Sequence, residues 1–387
     1  MFHTTLLWTA LCWPGSMHLP HPVDSGSVVA DDPAQPAPEV TRLLCLPPGA
    51  GNSRNSEGDL LRLEDGSLLL VWTAFEDGTG GDHDPASLVS IRSTDGGVRW
   101  SSPRTVVSAT DGMNVMSVSL RRLGDGRIAL FFLRKHSLVD CRPVVCFSSD
   151  EGVSWSKSIE IVPEDDVGYD VLNNDRVLQL EDGTLLVPVA RHAGSQMTPE
   201  FSRAGRLRCH RSEDGGATWT CGAWAPTVPG VVLQEPGLFV DSDGAVRMYA
   251  RTDRGVQYLA RSEDGGRTFT TPAPWTLRSP LSPASIRRLS DGALLAVWND
   301  PPPETEASTA PRTPLVMARS TDDGATWHQR RVLFEHDHGW YCYVSIDQDE
   351  QTLLLTSCAG DRRRGNGLQT LVVCSVPVDS GAATPLP

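Results

Sequence analysis

Ser93-Thr94-Asp95-Gly96-Gly97-Val98-Arg99-Trp100 is the first of five copies of one unit, Ser-x-Asp-x-Gly-x-x-aromatic. The others occupy residues 148–155, 212–219, 262–269 and 320–327, and successive aspartates lie 55, 64, 50 and 58 residues apart. Spacing this regular marks one supersecondary unit used repeatedly. A second unit interleaves with it: an apolar run, an Asp-Gly turn, another apolar run. Its turns fall at Asp65-Gly66, Asp125-Gly126, Asp182-Gly183, Asp243-Gly244 and Asp291-Gly292, with a degenerate sixth near Asp349. Asp-Gly between apolar stretches signals a hairpin, because the tight turn needs positive φ. One hairpin per roughly 50–60 residues predicts an all-β fold, a six-bladed β-propeller with four-stranded antiparallel blades.

The ends fit that architecture. Residues 40–46 read as a strand before the first hairpin and residues 368–378 as one after the last. Joining them in one blade removes an exposed sheet edge. The expected organisation is an N-terminal signal-like or disordered segment (1–39), the propeller (40–378) and a C-terminal tail (379–387). In the repeated unit the Asp accepts backbone N–H groups, the Gly bends the chain and the aromatic ring packs between sheets. Its carboxylates are too sparse for five calcium sites.

Composition excludes several functions. The net charge of −14 argues against a nucleic-acid partner. The only lysines are Lys135 and Lys157, neither after a glycine, so no phosphate-binding loop is present. No Gly-x-Ser-x-Gly elbow supports Ser-His-Asp hydrolysis. Residues 6–11 are apolar but no Lys or Arg precedes them. They read either as the core of a secretory signal, giving a secreted or periplasmic protein, or as an extension of a cytoplasmic one. No run approaches the ~18 apolar residues of a membrane span. Of nine cysteines, Cys209 and Cys221 flank one turn and Cys141 and Cys146 lie close in sequence. Each pair reads equally as a disulfide or as buried thiols. His336-Asp337-His338 is a weak metal signal and reads better as a loop beside the active site.

The Ser-x-Asp-x-Gly-x-x-Trp turns resemble the Asp boxes of the sialidase superfamily, the bacterial neuraminidase repeat proteins, over residues 41–378. That resemblance implies a retaining exo-glycosidase with a tyrosine nucleophile, since a carboxylate nucleophile would approach an anionic sugar. It also implies a glutamate that activates the phenol, an aspartate as acid/base, three arginines on the substrate carboxylate, and no cofactor. Asp82 in Gly81-Asp82-His83-Asp84 matches the acid/base position, with Asp84 as the fallback. Glu235 in Gln234-Glu235-Pro236-Gly237 matches the activating glutamate, and Arg251 and Arg312 match two of the arginines. For the nucleophile, Gly339-Trp340-Tyr341-Cys342-Tyr343 aligns better at Tyr341. Tyr343 shares its parity along an extended strand, so both are expected to face the same way.

The first arginine departs from the family pattern. Asn52-Ser53-Arg54-Asn55-Ser56-Glu57-Gly58 offers Arg54 two residues out of place, with Glu57 near the expected positive charge. Asn173-Asn174-Asp175-Arg176 is expected to place Arg176 over the pocket, and Arg191-His192 to join the cleft. The implied partner is a glycan or glycoconjugate. A hydrolase for another sugar, such as a furanoside, and a non-catalytic carbohydrate-binding propeller are the competing readings.

Overall fold

The computed structural model describes residues 32–108, 112–349, 351–365 and 367–378. Among these residues every regular element is a strand or a single 3-10 turn. Arg54–Arg62, Leu68–Phe75, Ala86–Ser93 and Arg104–Val107 form an antiparallel meander. Two further four-stranded meanders begin at Leu233–Val240 and Ser285–Arg288. Between the first meander and these lies a nine-stranded sheet, made of two antiparallel groups joined by one parallel pairing, Tyr169 to Cys141. The last sheet takes Gly339–Gln348, Thr352–Asp361 and Leu371–Pro377, and its outer strand is Thr41–Leu46 from the other end of the chain.

Second-position strands such as Leu68–Phe75 and Leu294–Asn299 are buried along their whole length, without alternation, because both faces are covered. In Leu68–Phe75, Leu68, Leu70 and Trp72 pack with Leu354, Leu371 and Val373 of the last sheet. Leu69 and Val71 point the opposite way, to Val118, Leu130 and Val144. The same two-sided burial joins the two groups of the nine-stranded sheet through Val187 with Phe131, and successive sheets through Leu186 with Leu238 and Ile286 with Phe239. The expected join between the terminal strands is present. Ala34 is buried with Val40 and Tyr341, so the packed body already includes part of the stretch before residue 40. Most of the signal-like segment (1–31) and the tail (379–387) lie outside the described residues.

Each Asp-box turn links a third strand to a fourth. Ser148 Oγ accepts from Gly152 N at 2.7 Å, and Asp150 Oδ1 accepts from Ser154 N at 2.8 Å. Ser320, Asp322, Gly324 and Thr326 repeat the arrangement. With its oxygens on its own loop, the Asp150 carboxyl is held down at about 2, first by the Ser154 hydroxyl. These turns are structural staples.

Of the two readings of the cysteines, the free-thiol one holds. Strand register sets His210, not Cys209, opposite Cys221. Cys141 and Cys146 are five apart on one strand and project to opposite faces. All four are free thiols.

The opening strands are pinned to one another by buried polar groups. Asp175 Oδ1 accepts from Arg121 and Arg287, each at 2.6 Å, and Oδ2 accepts from Ile346 N at 2.9 Å. Asp59 Oδ2 accepts from Leu120 N at 2.7 Å. Burial pushes the Asp59 carboxyl up to about 7, and the Asp175 charge adds to this against the opposing pull of Arg121. An unfolded aspartate titrates near 3.9, so between that value and about 7 the folded state binds the extra proton. Stability therefore falls as pH rises through this window. In urea unfolding across pH, Asp59→Asn is expected to lose this part of the decline relative to wild type. Parallel curves for the two proteins would contradict it.

Candidate active site

Four opening strands carry the same irregularity. Register shifts fall between Ser56 and Asp59, Met116 and Ser119, Gln234 and Gly237, and Cys342 and Ser345. At each, one non-glycine residue takes a left-handed conformation: Glu57 (φ 52°), Ser117 (62°), Glu235 (49°) and Tyr343 (57°). Such positions cost about 1–3 kcal/mol each and persist only where surrounding structure enforces them. Here they bring side chains of separate sheets together. Glu57 Oε2 accepts from Ser117 Oγ at 2.9 Å, and Tyr343 Oη donates to Glu235 Oε1 at 3.2 Å.

Strand direction explains why other groups join them. In a meander, the start of the first strand, the end of the second and the link from second to third share one end of the sheet. Arg251 ends a second strand, while Asp82 and Arg312 lie on such links. Arg251 Nη2 lies 3.1 Å from Glu235 Oε1, and its Nε and Nη2 both donate to Gln234 Oε1, at 3.1 and 2.7 Å. Asn173 Nδ2 donates to Glu235 Oε2 at 3.4 Å. The Arg312 guanidinium lies over the rings of Trp340 and Tyr343, 5.1 and 5.7 Å from their centroids. Arg251 Nη1 and Arg312 Nε are buried donors with no protein partner. Burial raises the Tyr343 phenol well above its ordinary value and the Glu235 charge adds to this, with Arg251 and Arg312 opposing. The phenol therefore keeps its proton until a base takes it, and Glu235 is already in contact with that proton.

The placement of Tyr341 is corrected. Its hydroxyl donates to Pro33 O at 2.9 Å, and its ring stacks on Phe334 at 5.3 Å within the apolar core. The shared parity expected for Tyr341 and Tyr343 holds only on a regular strand, and the bulge after Cys342 breaks it.

Arg54 is also placed differently from the expectation. It is fully buried, with Nη1 on Asp82 Oδ1 at 2.6 Å, Nη2 on Glu57 Oε1 at 2.8 Å and Nε on Ser56 Oγ at 2.7 Å. The guanidinium is committed to protein carboxylates. Burial raises the Glu57 carboxyl, and Arg54 only partly offsets this. For half-exposed Asp82, burial acts upward but the Arg54 charge and hydrogen bond prevail, leaving the carboxyl below its ordinary value. Asp84 instead staples the loop, accepting from Thr79 N at 2.7 Å and Gly81 N at 3.0 Å. Arg176 is buried and donates to Tyr249 Oη at 2.6 Å, with Nε and Nη2 unpartnered. One of its nitrogens thus ties the loop to the next sheet, while two remain buried without a protein partner. Arg191 turns to Asp166 and Asp170, while His192 lies near Arg251 and Glu235. A hollow of about 440 Å³ lies beside the Arg54 loop, lined by Asn52, Ser53, Asp77 and Gly78. Tyr343 and Glu235 are not among its lining residues.

Sequence reading did not assign Glu57, Ser117, Asn173 or Gln234 a role. Asn173 and Gln234 sit in segments already singled out, but only the fold reveals that both hold the Glu235–Arg251 pair. Ser117 carried no sequence signal beyond its position eight residues before an Asp-Gly turn, the same offset as Glu57 and Glu235.

Comparison with known proteins places the fold. Among solved structures, a Hadza microbial sialidase superposes with a TM-score of 0.68 at 19% identity, over 85% of this chain and 66% of that one. A sialidase variant from Streptococcus pneumoniae gives 0.68 at 14% identity, over 88% and 70%. A Dyadobacter fermentans protein of unknown function gives 0.65 at 18% identity, over 89% and 100%. The fold is sialidase-like. A xyloglucanase from Paenibacillus sp. is 27% identical over 260 residues, 61% of this chain. The chain spans about a quarter of that relative's length, the match covering 23% of it. The BNR repeat-like domain matches residues 55–355, and with its five Asp boxes the chain belongs to that family, within the sialidase-like BNR repeat superfamily.

Proposed function

We propose that this chain is a six-bladed β-propeller glycoside hydrolase that releases a terminal anionic sugar with retention, as an exo-α-sialidase does. The observation that carries this reading is the Tyr343 Oη–Glu235 Oε1 contact of 3.2 Å. Tyr343 Oη attacks the anomeric carbon as its proton passes to Glu235, and the bond to the leaving oxygen breaks. Asp82 protonates that oxygen, then takes a proton from the water that attacks the glycosyl–tyrosine bond, while Glu235 returns its proton to the departing Tyr343 oxygen. Arg251 and Arg312 meet the anionic group with the buried donors that have no protein partner. The names of the sialidase neighbours and of the Paenibacillus relative agree with a glycan substrate.

One observation favours a second reading, a different terminal sugar. Arg54 is held by Glu57 and Asp82, so a sugar carboxylate meets two arginines rather than three. The buried Glu57 suits a hydroxyl donor better than an anion. A non-catalytic binding propeller gives no reason for a buried tyrosine to share a proton with a glutamate beside two arginines.

Hydrolysis of a panel of fluorogenic glycosides, an α-sialoside and a furanoside among them, tests these readings. Wild-type turnover is expected to fall at least about a hundredfold in Tyr343→Phe. Tyr341→Phe is expected to keep its activity and lose about 1 kcal/mol of stability with its hydrogen bond to Pro33. An active Tyr343→Phe contradicts the assignment, and a folded wild type inert on every glycoside favours binding.

The Asp82–Arg54 pair generates a pH prediction. Asp82 must be protonated to act as acid, so turnover falls as pH rises through its pKa. Arg54→Gln removes the charge that lowers this pKa, so the alkaline limb of the rate profile is expected to move to higher pH. A limb that stays in place in folded, active Arg54→Gln would remove Asp82 from the acid role.

A further inference from the structure

Among the described residues, one strand pairing sets a cysteine directly opposite a cysteine: Cys342 on Gly339–Gln348 faces Cys358 on Thr352–Asp361. Opposed residues on antiparallel strands sit about 4.5 or 5.5 Å apart at Cα. A disulfide spans about 4.4–6.8 Å between Cα atoms, so the Cα separation of either pairing geometry falls within its range. Both thiols are free, buried and in side-chain contact with each other. They form a small cluster with Tyr343, flanked by Trp340 and Leu368.

The surroundings favour reaction at one of the two sulfurs. Burial raises the Cys342 thiol, but the hydrogen bond from Cys358 and the Arg312 charge and hydrogen bond leave it below the ordinary value. Cys358 is raised well above it. A thiolate-prone sulfur beside a protonated partner is the arrangement in which one cysteine attacks and the other resolves.

We infer that Cys342 and Cys358 are a reversible redox pair, converted by a peroxide into a cross-strand disulfide that releases Arg312 from the Cys342 sulfur. The Cys342 thiolate attacks one peroxide oxygen, the O–O bond breaks and a sulfenic acid forms with loss of one water or alcohol. The Cys358 sulfur then displaces water from that sulfenic acid. Two thiols are oxidised, one peroxide is reduced, and two equivalents of an external thiol, themselves oxidised to a disulfide, reverse the reaction. The chemistry stands on the strand register and the contact between the two sulfurs. Its consequence for turnover rests on the proposed function, since Arg312 borders Tyr343.

The test treats the purified full chain with hydrogen peroxide, then blocks remaining thiols under denaturing conditions and maps the peptides. The expected result is a Cys342–Cys358 linked peptide, a loss of two hydrogens in intact mass, and full reversal by dithiothreitol. Trp340 reports on the site without any substrate, so a shift in tryptophan emission is expected in wild type and not in Cys358→Ser. On a substrate that the reduced protein hydrolyses, kcat/KM is expected to fall severalfold in the oxidised wild type and to hold in Cys358→Ser. Two alkylated thiols at these positions, or linkage to another cysteine, would overturn the pair. A cross-link that leaves both emission and turnover unchanged would overturn its effect on Arg312. A linked peptide in a protein inert on every glycoside would defeat the proposed function and leave the redox pair standing.

Discussion

The site depends on one backbone device, a bulge with a left-handed residue repeated near the start of the opening strands. At Glu57, Ser117, Glu235 and Tyr343 the regular alternation of side chains stops, and one residue per strand turns toward its counterparts on other sheets. Non-glycine residues resist this conformation. The surrounding sheets hold it in place. Each opening strand is backed by a second strand buried on both faces, and Asn174 fastens the strands to one another through Gly58 O and Tyr343 O, each at 3.0 Å. Rigid packing thus carries the strain that the convergence requires.

Convergence concentrates charge in a place with little water. Glu235, Arg251, Arg312 and Tyr343 interact without full compensation, since Arg251 Nη1 and Arg312 Nε remain unpartnered. At Arg54 the opposite holds, because Glu57 and Asp82 take up its donors. A buried arginine between two carboxylates is held by charges that would be strongly destabilised without it. The two halves of the site therefore differ in kind: one keeps buried donors without protein partners, the other is already neutralised by the protein.

Much of this was legible in the sequence, because repeated turns and apolar runs are local signals. Five Asp boxes and the Asp-Gly hairpins announced the sheets and their order. Glu235 and Arg251 were found because a hairpin fixes their separation, and Arg312 because its link lies between two recognisable turns. Tyr341 aligned better with the family pattern, and parity counting, which assumes an unbroken strand, set Tyr343 on the same face; no residue type at 342–345 announces the bulge that separates them. Arg54 looked like a displaced ligand because sequence shows its distance from a motif and not the two carboxylates that meet it from a neighbouring position and a separate loop. The Arg176 contact was hidden for a similar reason: its partner Tyr249 lies 73 residues away.

The central claim is that the bulge makes Tyr343, and not its neighbour two residues earlier, the reactive tyrosine. Trapping with a fluorinated glycosyl fluoride of the sugar that the protein hydrolyses, followed by fragment mass spectrometry of the peptide containing residues 339–348, tests it most directly. The account predicts a stoichiometric glycosyl adduct on the Tyr343 oxygen, absent from Tyr343→Phe. An adduct on Tyr341, or on a carboxylate such as Glu57 or Glu235, would contradict it.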